Sequence, residues 1–154
     1  MSSTDPSPFT ALDGAFAVLS CEPRPLAFDG SAVPGLPARA IALRELRAFL
    51  LAPSTSYSKR NAVHAVLVEH AKAEGGAATI ALAGVLLPGL RRAAYALVRA
   101  CPERASDIEA DMLAGLLSAL ARVSPRRACL ALYLVNSAFV AASSPRGPRR
   151  RSSS

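Results

Sequence analysis

The sequence predicts an all-α protein, a bundle of five or six helices with an irregular N-terminal segment. Three observations carry this. Six of the 12 prolines fall at or before Pro37. From Pro37 onward, apolar residues recur at three- and four-residue spacing between clear start and stop signals. Apolar residues make up 51% of the chain, with Ala and Leu prominent, while aromatics are only 5% and Trp is absent. At 154 residues the chain is long enough for one domain of ~100–200 residues. The composition excludes a wholly disordered chain and a disulfide-stapled miniprotein. The expected organisation is an irregular Pro/Gly-rich segment at 1–36, a helical domain at 37–142 and a disordered basic tail at 143–154.

Taken in order, residues 14–19 and 25–28 allow two short strands and a small hairpin, the second strand ending at the Asp29-Gly30 turn. Pro37 suits a first helical position. Ile41, Leu46, Phe49 and Leu50 then share one side, and the helix should stop at Ala52-Pro53. Ser54 to Ser58 is a loop rich in capping residues. The next helix carries Ala62, Val63, Val66 and Leu67 and should end at Gly75-Gly76. A third helix starts near Ala77, with Pro88 expected to kink or break it, and Cys101-Pro102 stops it. Ser106 and Glu109 have the spacing of a capping box, followed by an apolar stripe from Met112 to Leu120. The last helix should run from Pro125 to about Ala142. Being apolar almost all round, it is expected at the centre of the bundle.

Charge is unevenly distributed. The formal net charge is +7, from 18 bases and 11 acids. The first 36 residues hold Asp5, Asp13, Glu22 and Asp29 against Arg24, whereas Arg146, Arg149, Arg150 and Arg151 crowd the C-terminal tip. Such a balance favours acidic or phosphate-bearing partners. Arg44, Arg47, Arg91, Arg92, Arg99, Arg126 and Arg127 are the body residues expected to line a basic face, with the four tip arginines as a sequence-indifferent polycation. A solvated bundle surface predicts the same body residues and is the preferred reading for them, while a solubilising role is an equal alternative for the tip.

Signals for catalysis or metal binding are weak. His64 and His70 are six residues apart, about 240° around a helix at ~100° per residue, so they do not form a same-face pair. Asp107 and Asp111 share a face, but negative charge in the first turns of a helix is favoured by the helix dipole. A pocket joining them to His64 would be the mark of an enzyme. Gly84 and Gly89 are followed by no Gly-Lys-Ser/Thr, and Ser54, Ser56 and Ser58 lie in no Gly-x-Ser-x-Gly elbow. Cys21, Cys101 and Cys129 are odd in number and lack metal-ligand spacing, so buried free thiols are expected. No signal-peptide pattern is read at the N-terminus. Residues 128–145 form an uncharged run, better explained as a core helix than as a membrane anchor. These features together suggest a cytoplasmic, non-enzymatic protein without cofactor or metal.

The run Leu46 to Tyr57, followed by Arg60-Asn61-Ala62-Val63, resembles a segment of an uncharacterised actinobacterial helical protein family. Gly84 to Arg92 and Glu109 to Gly115 extend the resemblance in order, from about Leu26 to Leu134. His64 stands where a tryptophan is typical of that family. Some of its members resemble the helical core-binding region of sigma factors. The resemblance implies a helical fold and association with nucleic acid or with the transcription machinery, RNA polymerase included. The alternative is a protein–protein interaction module with an incidental basic tail.

Overall fold

A computed structural model describes residues 5–21 and 26–144. Helix α1 spans Pro8–Leu19. Two three-residue strands follow, β1 (Ala27–Asp29) and β2 (Ala40–Ala42). Then come α2 (Leu43–Leu51), α3 (Tyr57–Glu74), α4 (Gly76–Ala100), α5 (Ala105–Arg122) and α6 (Leu130–Ser143). The architecture is therefore the expected helical bundle, with one small antiparallel ribbon in which Phe28 faces Ile41.

The N-terminal region departs from expectation. Residues 14–19, expected as a strand, belong to α1. Ser7 caps that helix by accepting from the Thr10 amide at 3.3 Å, and Pro8 opens it. Phe9 and Phe16, seven residues apart on one face, are both buried in the core. Burial at this helical period decides the conformation over the β-propensity of residues 16–19. The second expected strand is present at 27–29, but it pairs with residues 40–42. Extended backbone at Ala40–Ala42 therefore delays α2, which starts at Leu43 and not at Pro37. It ends as expected, with Ala52 extended before Pro53.

Helix α3 starts at Ser56, whose side chain accepts from the Lys59 amide at 3.2 Å. It stops at Gly75, where a φ of 63° suits a residue without Cβ. The central helix is α4, not α6 as expected, and it packs against all five others. Its window of mean hydropathy 1.3 is long and apolar enough to cross a membrane, but half of that window is buried inside the protein. The expected anchor run becomes α6, only 14 residues long and short of the ~20 needed to span a bilayer.

Pro88 neither ends nor divides α4. A proline lacks an N–H, so the Gly84 carbonyl four residues back loses its helical donor. The Arg47 guanidinium supplies one from α2, donating to the Gly84 oxygen at 3.1 Å. Gly84 also leaves room for the Phe16 ring, which a Cβ at that position would strike.

The expected capping box at Ser106 does not form. A 3₁₀ turn at Pro102–Arg104 leads into α5, and Arg104 holds the cap position. Glu109 instead accepts the Phe9 amide at 2.8 Å, serving the start of α1. The last helix begins at Leu130, not at Pro125. Cys129 precedes it at φ 57°, and Asn61 of α3 accepts the Leu130 amide at 3.1 Å. The α6 surface is also less buried than expected, with Leu132 and Val140 exposed. Cys21 and Cys129 are exposed and Cys101 half-buried, so the expectation of buried thiols fails.

Candidate functional site: an arginine-rimmed apolar groove

An open groove of about 530 Å³ runs between four helices. Leu50 and Leu51 come from the end of α2, and Arg60 and His64 from α3. Val85, Leu86, Gly89, Arg92 and Ala93 come from α4, and Ala131, Leu132 and Val135 from α6. The spacing on α4 is helical: positions 85, 86, 89, 92 and 93 fall on one side. Leu51 and Leu132 are 54% and 60% exposed, so large apolar side chains meet water here. The charged side chains lining the groove are Arg60 and Arg92, and no carboxylate lines it.

Arg60 and His64 stand one turn apart on α3. One Arg60 nitrogen, Nη2, donates to the Ala52 carbonyl at 2.7 Å, closing the open end of α2. Its Nε is buried and has no hydrogen-bond partner. His64 is buried, and burial together with the Arg60 charge pushes its pKa down to about 4. The imidazole is therefore neutral at pH 7 and leaves the positive charge to the arginines.

A second depression, of about 410 Å³, adjoins the groove through the shared Leu132. Tyr133 and Val140 line it, and the Arg127 guanidinium lies 4.0 Å from the Tyr133 ring centre. Cys129 lines it as well, and its thiol is 2.8 Å from the Tyr57 hydroxyl. Leu51, Leu132 and Val140 with Arg60, Arg92 and Arg127 thus form one continuous apolar and cationic surface.

The arginines named from sequence do not all line one depression. Arg47 is half-buried, paired with Asp13 at 3.0 Å and 4.5 Å from the Phe16 ring centre, as well as bonded to Gly84. Arg91 and Arg92 are adjacent in sequence but line different depressions, Arg91 beside Phe9, Tyr95 and Glu109. Arg44 and Arg126 are exposed, and Arg99 lies over the exposed Tyr95 ring. Arg146, Arg149, Arg150 and Arg151 lie outside the described residues. Asp107 and Asp111 do not line the groove with His64, and His70 lines another cavity with Glu74. Among the described residues no three His, Cys, Asp or Glu side chains stand together as a metal site.

Sequence reading missed Arg60, Leu51 and Leu132. The i, i+4 spacing of Arg60 and His64 is a local signal that could have placed both on one face. Nothing local points to Leu132, whose exposure depends on how α6 lies against α4. No family model matches the chain, and no curated protein or solved structure matches it.

Proposed function

We propose that this chain is a non-enzymatic, cytoplasmic helical interaction module that holds a partner protein in the groove between α2, α3, α4 and α6. One observation carries the reading: an open apolar groove with exposed Leu51 and Leu132 and an arginine rim. Contiguous exposed apolar surface rimmed by polar residues marks interaction sites. Glu109, the acid in the expected capping box, is engaged at the start of α1, which supports a structural and not a catalytic use of that carboxylate.

A charge substitution at Leu132 tests this. Because the side chain is exposed, Leu132→Glu leaves the fold intact by circular dichroism. Capture of binding proteins from a lysate of the source organism should fall about tenfold or more against wild type, the loss of ~1.4 kcal/mol. Leu117→Glu, on the exposed side of α5 away from the groove, should capture as wild type does. Equal capture by all three proteins contradicts the reading.

Association with nucleic acid or RNA polymerase through arginines is the second reading. It is supported by Arg92 and Arg99, exposed and seven residues apart on one side of α4. Phosphate binding falls steeply with salt. Duplex-DNA affinity that is salt-steep, kept on truncation at Pro145 and indifferent to Leu132→Glu would favour it.

A further inference from the structure

We infer that the groove's occupant is an acidic amphipathic helix of a partner protein, its apolar face on Leu51 and Leu132 and its carboxylates against Arg60 and Arg92. The inference rests on the groove being a docking surface and adds the chemistry of what docks.

The walls first decide the occupant's backbone. All four are helices, whose amides and carbonyls bond within themselves. The strands among the described residues, β1 and β2, contribute nothing to the groove. An extended peptide would therefore bury its own amides and carbonyls here without a sheet edge to pair with. A helix satisfies its backbone internally and offers side chains at i, i+3, i+4 and i+7, which suits a groove lined by side chains alone.

The rim decides the charge. Two arginines and no carboxylate line the groove. A carboxylate accepts the fork of an arginine well. A second copy of this chain is disfavoured, because it carries a net charge of +7 and would set the same arginines near one another. The chain's own tip, with Arg146 and Arg149 to Arg151, has the wrong sign as well. A nucleic-acid backbone meets the arginines but has no use for an apolar floor.

The test uses three synthetic helical peptides of about 18 residues, long enough to hold helix marginally. All share one Leu stripe, and their polar faces are Glu, Gln or Lys. Fluorescence polarisation against the full chain should rank Glu above Gln above Lys, with about tenfold between the first two, or ~1.4 kcal/mol. Arg92→Glu, at an exposed position, should weaken the Glu peptide and strengthen the Lys peptide. Added salt should narrow the differences. If all three peptides bind alike and Leu132→Glu abolishes all three, the groove stands as a docking surface and the acidic assignment is overturned. If Leu132→Glu leaves peptide binding untouched, the docking reading itself falls. Failure of every peptide, with binding to anionic phospholipid vesicles that Leu132→Glu abolishes, overturns the helix in favour of a lipid surface.

Discussion

Arg47, Glu109, Asn61 and Lys72 all serve backbone groups far from them in sequence. Arg47 donates to the Gly84 carbonyl inside α4, and Glu109 accepts the first amide of α1. Asn61 accepts the Leu130 amide, and Lys72 donates to the Leu120 and Ala121 carbonyls at 2.9 and 3.2 Å. Helix ends, and Pro88 inside α4, leave amides and carbonyls without intrahelical partners, and in this chain neighbouring helices supply them. Two of these residues, Arg47 and Glu109, had sequence readings that the contacts replace. Their partners lie tens of residues away, beyond any local pattern. His64 allows a test at the same scale. Its folded pKa of about 4 lies below the unfolded value near 6.5. The unfolded chain thus binds the proton more readily between those values. Stability is fully present above pH 6.5 and falls as pH drops towards 4. The expected loss is roughly 2 kcal/mol between pH 7 and pH 5. Urea midpoints of wild type should fall more over that interval than those of His64→Gln; parallel pH dependence would refute the assignment.

At the scale of elements, some local start and stop signals proved readable, whereas the starts expected at Pro37, Ser106 and Pro125 did not form there. Ser56 starts α3, Gly75 ends it, and Ala52-Pro53 ends α2, each through the residue's own backbone preference. What depended on partners distant in sequence was not readable. Helix α1 forms where Phe9 and Phe16 reach the core, and Ala40–Ala42 is extended because it pairs with Ala27–Asp29. The Ser106 capping box lost its Glu to α1. Pro88 is the sharpest case, because the sequence shows the missing N–H but not the guanidinium that compensates for it. A double-mutant cycle can measure that link. Arg47→Met should destabilise by about 1–3 kcal/mol, mainly by leaving a buried carbonyl without a donor. In a Pro88→Ala background the new amide can serve Gly84, so the same change should cost about 1 kcal/mol less. The Asp13 pairing is common to both legs and cancels. Additive effects in chemical denaturation would show that Arg47 does not compensate for Pro88.

For the whole molecule, sequence placed the helical class correctly but misplaced the centre. Mean hydropathy favoured the last helix. The centre went to α4, which has apolar residues on most of its circumference and glycines where neighbours come close. Once α4 is central, α6 lies at the edge with Leu132 and Val140 outward. The groove follows from that placement, which is why its arginine rim was half legible (Arg92 named, Arg60 not) and its apolar floor not at all. The central claim is that this groove is where the protein meets its partner. The most direct measurement is photo-crosslinking in the source cell, with benzoylphenylalanine at Leu132 or, as control, at Leu117. A discrete crosslinked protein is expected from position 132 and none from position 117. Crosslinks from 117 alone, or equally from both positions, would contradict it.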